Sequence, residues 1–282
     1  MYNKGLVLEG GGMRGIFTAG VLDFFLENNI EFSDCFAVSA GACHACSYLS
    51  KQHKRAYNIS IDYLKDKNYC SIYSLLTTGN LFGTKMVYDK IPNEMNLYDY
   101  NEYLKSKTRF FVVITNCNTG KAEYKLIEDM RNSMDIIRAS SSLPLLSKIV
   151  YIKGEEYLDG GISDSIPIRE SIKRGNPQNV VVLTQNREYR KQPNNLMSLL
   201  KMKYKKYPEL INSLENRHVV YNQTLDYIYE EEKKGNIFVI QPQRPLKLGR
   251  VEKNKEKLSE VYQKGYMQAK DNFNSLKSFL DN

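Results

Sequence analysis

The chain has 282 residues, of which 42% are hydrophobic and 26% charged, and its formal net charge is +8. This balance excludes a disordered or fibrous protein and allows a normal globular core. No apolar run approaches the ~20 residues of a membrane span, so we expect no transmembrane helix. The five cysteines are an odd number, which favours a reducing compartment over a disulfide framework.

The N-terminus leads directly into a strand-like run, without the long apolar stretch of a signal peptide. With the cysteine count, this predicts a cytoplasmic location. Cys43 and Cys46 form a C-x-x-C pair, but no second ligand pair accompanies them. We therefore interpret both as small buried residues, and we expect neither a zinc site nor a redox site.

Positive charge is concentrated between Arg187 and Tyr207, where seven Lys and Arg residues stand against Glu188 alone. Such a stretch, with Lys201 to Lys206 on a predicted helix, indicates an anionic partner. We expect peripheral contact with an anionic membrane surface, and a solvated helix face is the alternative. No motif of a nucleic-acid-binding module is present, so we expect no nucleic-acid partner.

Strands alternate with helices along the chain. The apolar runs predict strands at 5–8, 35–38, 110–116, 122–127, 150–152, 156–158, 179–184 and 237–240. Helical spacing predicts helices at 16–26, 42–50, 56–67, 133–139, 167–173, 196–206, 211–233 and from 251 to the end. Residues 69–92 read as loops and short elements near the mouth of a site. The alternation predicts an α/β fold with a mainly parallel sheet and helices on both faces.

No linker or repeat divides the chain. We expect a hydrolase domain over residues 1–235 and a strand–helix extension over residues 236–282 that packs on it.

A glycine-rich loop follows the first strand. Gly10, Gly12 and Gly15 satisfy G-x-G-x-x-G, the fingerprint of a dinucleotide site. The same loop could offer bare amides to the oxyanion of an acyl-transfer reaction. A dinucleotide site needs an acidic residue at the end of the second strand, but Asp34 lies at the other end. The loop therefore favours acyl transfer over hydride transfer.

The second predicted strand ends abruptly at Ser39, which is followed by the small residues Ala40, Gly41 and Ala42 and then by a helical pattern. This layout is typical of a nucleophile elbow, in which a serine on a tight strand-to-helix turn exposes its oxygen. The small neighbours are needed because the turn crowds the chain. The alternative is an ordinary serine that caps the helix.

A serine nucleophile needs a base. None of the three histidines, His44, His53 and His218, lies in a recognisable motif, although His218 could be a late triad histidine in chain order. Asp159 ends a predicted strand and precedes Gly160 and Gly161, which let the backbone turn and expose the carboxylate. The alternative for this segment is an ordinary Asp-Gly turn.

Four blocks in this order resemble the patatin-like phospholipase family: 10–15 (GGGMRG), 39–41 (SAG), 139–144 (ASSSLP) and 159–161 (DGG). The resemblance implies a three-layer α/β/α sandwich and a dyad of Ser39 and Asp159. It also implies an oxyanion hole from the amides of Gly10, Gly11 and Gly12, and no metal or cofactor. Supporting roles fall to Arg14, which would hold the loop or meet an anionic group, and to Gly15, Gly41, Gly160 and Gly161.

The segment 241–252 before the last predicted helix is similar to the C-terminal extension of a bacterial branch of this family. The implied activity is that of a serine lipid acyl hydrolase, of the phospholipase A or carboxylesterase type, acting on a lipid or acyl ester. One position departs from the family pattern G-x-S-x-G, because Ala37 replaces its first glycine. Two alternatives therefore stay open: a non-catalytic lipid-binding or interaction protein on the same fold, and a nucleotide-binding oxidoreductase.

Overall fold

The computed structural model describes residues 1–249 and 251–282. Arg250, part of the predicted extension segment 241–252, lies outside the described residues. Eight strands join in one sheet. They are β1 (Tyr2–Leu8), β2 (Phe32–Val38), β3 (Arg109–Asn116), β4 (Ala122–Leu126), β5 (Val150–Ile152), β6 (Glu155–Asp159), β7 (Asn179–Val182) and β8 (Ile237–Ile240).

The sheet is mainly parallel, as predicted. Its order is β5-β6-β3-β2-β1-β7-β8. The eighth strand, β4, lies outside this order and pairs with β3. The central pairs β1–β2, β2–β3, β1–β7 and β7–β8 are parallel, whereas β4, β5 and β6 pair antiparallel. Leu8 pairs with Ala37, so β1 and β2 end side by side. The loops that follow them meet at one edge of the sheet, where ligands bind in open α/β folds.

Helices cover both faces of this sheet. They are α1 (Ile16–Glu27), α2 (Ala40–Leu49), α3 (Arg55–Asp62), α4 (Ile72–Thr78), α5 (Tyr100–Lys105), α6 (Met134–Ser140), α7 (Ile168–Lys173), α8 (Met197–Lys203), α9 (Pro208–Lys233), α10 (Lys255–Asp271) and α11 (Phe273–Asp281).

Alternate residues of β1 divide the core between the two faces. Leu6 and Leu8 belong to the cluster that includes apolar residues of α1, α2 and α10. Val7 points the other way and belongs to a cluster with Leu225 and Ile228 of α9. Helix, sheet and helix thus form three layers, and the predicted α/β/α sandwich is confirmed.

The C-terminal extension is packed closely on the rest of the chain. β8 extends the sheet beside β7, and α10 crosses α1 at two glycines. A Cβ on Gly20 would lie 2.1 Å from the carbonyl oxygen of Tyr262, and one on Gly265 would lie 1.9 Å from that of Phe17. No side chain fits at either position, so the helix backbones meet directly. The division at residues 235 and 236 stays a prediction.

Several predicted helices have different bounds. The helix predicted from residue 251 is two helices, because Asn272 interrupts it and turns its side-chain amide onto the carbonyl of Gln268 at 2.8 Å. The helix predicted over 56–67 ends at Asp62. Residues 86–95 form a π-helix that contains Pro92, whose missing N–H removes a regular helical hydrogen bond. Among the described residues, no helix combines the length and apolar character needed to cross a bilayer.

Candidate active site

Ser39 occupies the turn between β2 and α2. Its backbone angles are φ 55° and ψ −125°, a region that residues with a side chain rarely adopt. The side chain makes no capping hydrogen bond to α2, so the interpretation as a helix cap is wrong. A strained turn that directs the serine oxygen away from the helix is the geometry of a nucleophile elbow.

The hydroxyl of Ser39 donates a 2.7 Å hydrogen bond to Oδ2 of Asp159, a residue 120 positions along the chain. Asp159 is the last residue of β6 and is only 2% exposed. Its other oxygen, Oδ1, accepts a 2.8 Å hydrogen bond from the amide of Gly161. The carboxylate is therefore fixed at both oxygens and aimed at the serine.

The backbones of this pair are anchored by neighbouring hydroxyls and carbonyls. The amide of Ser39 donates to Oγ of Ser140 at 2.8 Å, and the amide of Asp159 donates to the carbonyl of Ser142 at 2.9 Å. Thr115 Oγ1 donates to the carbonyl of Asp159, also at 2.8 Å. The serines of the 139–144 block thus hold both residues in place, a role that sequence reasoning did not assign.

The glycine-rich loop lies beside the pair. Gly10, Gly11 and Gly12 line the same small cavity of about 30 Å³ as Ser39 and Asp159. Among residues 1–249 and 251–282, no hydrogen bond uses the amides of these three glycines as donors. Backbone amides that lack an acceptor and lie beside a serine oxygen are the kind of donor that an oxyanion requires.

Arg14 follows in a short 3₁₀ segment, Gly12–Gly15, and lines the same cavity. Its Nε is buried and has no hydrogen-bond partner within the described part of the chain. A buried donor without an acceptor is costly to a fold, so this guanidinium is suited to an anionic ligand in the cavity.

The predicted supporting glycines stand where backbones crowd. A Cβ on Gly41 would lie 2.8 Å from the carbonyl oxygen of Leu8, and one on Gly160 would lie 2.1 Å from that of Val113. At Gly15 a Cβ would lie 2.7 Å from the Cβ of Ala40. Gly15 and Gly41 therefore let the loops after β1 and β2 approach each other closely, and Gly160 lets the chain after β6 pass close to β3.

Ala37, the departure from the family pattern, lies within β2. It pairs in regular parallel register with Leu8 and Val112, and it is fully buried in the core. Its methyl group points into apolar packing, and the turn itself begins only at Ser39. The substitution therefore leaves the elbow geometry intact.

No histidine contacts the pair within the described residues. Burial lowers the pKa of His44 to about 4, and its ring lies beside Gly15. His53 forms a 2.7 Å ion pair with Glu27. His218 Nδ1 lies 2.9 Å from the carbonyl oxygen of Glu215 on its own helix. None of them is placed to take a proton from Ser39, so the alternative of a triad histidine is not supported.

Two further features that the sequence singled out have defined contacts in the structure. Cys43 and Cys46 are free thiols on α2; Cys43 Sγ lies 3.3 Å from Ser141 Oγ, and Cys46 donates to the carbonyl of Ala42. Burial raises the pKa of both thiols. Asp34 is fully buried in a 2.6 Å ion pair with Arg109 at the amino end of β2, so it is unavailable to a ribose.

A second, apolar cavity of about 160 Å³ opens on the other side of Ser39. Its walls come from α2, α3, α6 and the π-helix 86–95, and they include Ile59, Phe82, Val87, Ile91, Met130 and Met134. Ser39 and Gly12 line both cavities. A bond cleaved at Ser39 would therefore have an apolar group on one side and a polar group on the other.

Sequence reasoning missed several residues here. Glu9 is buried before the glycine loop, and it accepts hydrogen bonds from the amide of Thr184 at 2.6 Å and from the hydroxyl of Tyr221 at 2.7 Å. Lys191 and Arg217 line the polar cavity. Lys191 and Arg217 have no local signal, because distant segments bring them to the site. For Glu9, its place directly after a buried strand was the one available hint.

Comparison with known proteins identifies the family of this chain. A model of the patatin-like phospholipase family matches residues 6–172. The chain belongs to the patatin-like phospholipase family. The resemblance inferred from the four motif blocks is thereby confirmed. A model of a domain of unknown function matches residues 207–281, which begin one residue before α9.

Several relatives are similar to this chain. An uncharacterized protein of Escherichia coli (strain K12), YjjU, is 29% identical over 86% of this chain and 69% of its own length. A probable lipid hydrolase of Invertebrate iridescent virus 6 is 27% identical over 63% of this chain and 66% of its own length. The lysophospholipase NTE1 of Meyerozyma guilliermondii is 25% identical over 97% of this chain, which spans only 19% of that enzyme.

Among solved structures, VipD from Legionella pneumophila superimposes with a TM-score of 0.54 over 98% of this chain and 67% of that protein. The sequence identity is 14%, so this similarity concerns the fold alone.

Proposed function

We propose that the protein is a serine lipid acyl hydrolase in which Ser39 is the nucleophile and Asp159 the general base. The observation that carries this proposal is the 2.7 Å hydrogen bond from the Ser39 hydroxyl to the Asp159 carboxylate at a strained strand-to-helix turn. A positioned base within hydrogen-bond reach of a serine is the requirement for nucleophilic catalysis.

In the first half of the reaction, Ser39 Oγ attacks the ester carbonyl while its proton passes to Asp159. The carbonyl oxygen becomes negatively charged and accepts hydrogen bonds from the amides of Gly10, Gly11 and Gly12. One such donor is worth about 10²- to 10³-fold in rate. The ester C–O bond then breaks, and the leaving alkoxide takes the proton from Asp159.

In the second half, water attacks the acyl group on Ser39 and gives a proton to Asp159. The tetrahedral intermediate again places its oxyanion on the glycine amides. Collapse breaks the bond to Oγ, which recovers its proton from Asp159, and a fatty acid leaves. The cycle restores both residues, so the net reaction converts one ester and one water into an alcohol and a fatty acid.

A lipid substrate is supported by the apolar cavity beside Ser39, which suits an acyl chain. The names of two relatives, a probable lipid hydrolase and a lysophospholipase, point in the same direction. The oxidoreductase alternative lacks an acidic ligand for the ribose, because Asp34 is paired with Arg109 at the other end of β2. The non-catalytic alternative rested on Ala37 in the elbow pattern. It is not favoured, because Ala37 lies in the regular part of strand β2.

Contact with a lipid surface is part of this proposal. Exposed apolar side chains lie on α4, with Ile72 at 72% and Leu76 at 81% exposure, and on α8, with Met202 at 68%. Both helices flank the segment 143–148: Leu81, just after α4, donates its amide to Leu146, and Leu145 donates its amide to Tyr204 beside α8. Leu143 of this segment lines both cavities.

The basic stretch contributes less charge than the sequence predicts. Arg187, Arg190 and Lys201 are paired with Glu232, Asp226 and Glu215. In the part of the chain that the structure describes, the other lysines beside α8 form no ion pair; they are Lys203, Lys205 and Lys206. At about 1 kcal/mol per well-placed cation, these three lysines favour binding to anionic lipid. Binding of the protein to phosphatidylglycerol vesicles, measured by sedimentation, should decline in a variant that carries both Leu76→Ser and Met202→Ser.

The dyad is tested by two substitutions with one matched control. Ser39→Ala should lower kcat on a fatty-acyl ester by about 10⁴-fold or more, and Asp159→Asn by about 10²- to 10⁴-fold. Asp164→Asn changes a neighbouring, half-buried carboxylate that accepts hydrogen bonds from the Tyr124 hydroxyl and the amide of Ile166, and it should keep kcat. Near-full turnover by the Asp159→Asn protein would place the base elsewhere and contradict the proposal.

A further inference from the structure

The polar cavity beside Ser39 carries more positive charge than the proposed reaction uses. Three cationic side chains line it, from Arg14, Lys191 and Arg217. Two carboxylates face them, from Glu9 and Asp159. Hydrolysis of a neutral ester develops one transient negative charge, which the glycine amides already accommodate. Three cations against two carboxylates give the cavity a net positive charge, which this single transient charge does not account for.

Both carboxylates in this cavity are engaged by hydrogen-bond donors. Glu9 accepts from Thr184 through one oxygen and from the Tyr221 hydroxyl through the other. Asp159 accepts from Ser39 and from the amide of Gly161. Glu9 is thus tied to the segments around the glycine loop and Asp159 to the nucleophile, and with three cationic against two acidic side chains the cavity has a net positive charge.

Two of the cations are positioned by α9: Arg217 lies on this helix, and Lys191 precedes it in the chain but is held against it. The Lys191 backbone is held by Asn222, whose side chain accepts from its amide at 2.8 Å and donates to its carbonyl at 3.0 Å. The Lys191 ammonium lies 4.1 Å from the ring centre of Tyr221. Arg217 is one helical turn before Tyr221, on the same side of α9. Lys191 is therefore seated at a defined place on this helix.

Arg217 lies close to the proposed base. Its Nη2 and the Asp159 Oδ1 are each 3.0 Å from the position that a Cβ on Gly161 would occupy. Any side chain at Gly161 would separate the guanidinium from the carboxylate. The glycine thus leaves room for Arg217 at the edge of the site, within reach of a substrate group next to the ester.

Lys191 and Arg217 also line a wider polar groove of about 300 Å³ at the surface, together with Arg190, Gln192, Asn194 and His218. The polar cavity and the groove share these two cations. The polar cavity therefore adjoins the apolar cavity at Ser39 and the surface groove at Lys191 and Arg217.

We propose that Lys191 and Arg217 bind the phosphodiester of a glycerophospholipid or lysophospholipid, whose acyl chain lies in the apolar cavity and whose head group extends into the groove. This assignment rests on the proposed function of Ser39. A guanidinium presents paired donors to phosphate oxygens, and an ammonium adds a compact charge. The assignment also gives α9 a role in substrate selection. This helix lies in the region matched by the domain of unknown function.

The test compares two substrates that differ in the head group: palmitoyl lysophosphatidylcholine and monopalmitoylglycerol. The measured quantity is the ratio of their kcat/KM values. Arg217→Gln and Lys191→Gln should each lower this ratio by about tenfold or more, mainly through KM for the phospholipid, because each removes a charge-assisted hydrogen bond. Arg217→Lys should recover part of the loss.

Arg187→Gln is the matched control, because this neighbouring cation lines neither the cavity nor the groove; its ratio should equal that of the wild type. Ser39→Ala separates the two proposals. Retained hydrolysis in that variant refutes the nucleophile, whereas an unchanged substrate ratio in the Arg217 and Lys191 variants refutes the phosphate site alone.

Equal losses on both substrates would make Arg217 a positioning residue for Asp159 and overturn the assignment. Inorganic phosphate tests the other source of the same chemistry. It should compete with lysophosphatidylcholine in the wild type and lose potency in Arg217→Gln. Equal inhibition of both substrates, with an unchanged ratio in the variants, would identify a site for free phosphate and overturn the head-group assignment.

Discussion

The apolar and polar cavities that meet at Ser39 are built from different parts of the chain. Residues between 12 and 143 form every wall of the apolar cavity. The polar cavity combines residues 9–14 with residues as distant as Lys191 and Arg217. The first is made by neighbouring helices on one face of the sheet, and the second forms where loops from three strands meet α9. We therefore expect the apolar cavity to hold the substrate and the polar cavity to select among substrates.

Beyond the dyad itself, the largest effect is expected at the glycine loop of the polar cavity. A Cβ on Gly10 would lie 3.0 Å from the Cβ of Ser39 and 3.2 Å from the carbonyl oxygen of Val38, so Gly10→Ala must displace the loop from the nucleophile. We expect kcat to fall by about 10²-fold, the value of one oxyanion donor. Steady-state kinetics on both substrates measures this loss.

Gly235→Ala serves as the control for that variant. Gly235 has φ +78° in a surface turn far from the cavities, so alanine should cost stability there and leave kcat unchanged. If Gly10→Ala turns over as fast as Gly235→Ala, the amides of the loop do not stabilise the oxyanion.

A smaller effect is expected where α9 holds the loop. Tyr221→Phe keeps the ring beside Lys191 but removes the donor to Glu9 Oε1. A buried carboxylate oxygen left without its donor costs about 1–3 kcal/mol. The free energy of unfolding should fall by that amount in urea titration, and both substrates should lose turnover equally. Tyr227→Phe, whose hydroxyl forms no hydrogen bond among the described residues, should change neither quantity.

The apolar cavity should respond through chain length instead. Val87 lies on the π-helix 86–95 and lines this cavity. Val87→Phe fills space that an acyl chain would occupy, so the ratio of kcat/KM for palmitoyl to butyryl esters should fall by about tenfold. Lys90→Gln, an exposed change on the same segment, should leave the ratio unaltered. A uniform loss for both chain lengths would mean that the cavity does not hold the chain.

The smallest effect concerns pH and stability. Burial lowers the pKa of His44 from 6.5 to about 4, so between these values the unfolded chain binds a proton that the folded chain excludes. Stability should therefore decrease as the pH falls from 6.5 to 4, and it should level off below. Unfolding of wild type and His44→Gln across this range measures the difference. A difference that is constant with pH would contradict the neutral, buried imidazole.

Much of this arrangement could be predicted from local sequence. The glycine loop, Ser39 and Asp159 all follow strand ends, and each has small residues that crowded turns require. The alternating apolar runs predicted the parallel sheet. Lys191, Arg217 and Glu9 could not be predicted, because their roles come from packing between segments far apart in the chain. The break at Asn272 was missed because its apolar spacing continues through the interruption.

The central claim is that Ser39 is a nucleophile activated by Asp159. The most direct test is to treat the folded protein with a fluorophosphonate and to map the adduct by mass spectrometry. We predict one adduct, on the peptide that contains Ser39, with none in Ser39→Ala and a much slower reaction in Asp159→Asn. Folded protein that does not react, or an adduct on another residue that persists in Ser39→Ala, would contradict the claim.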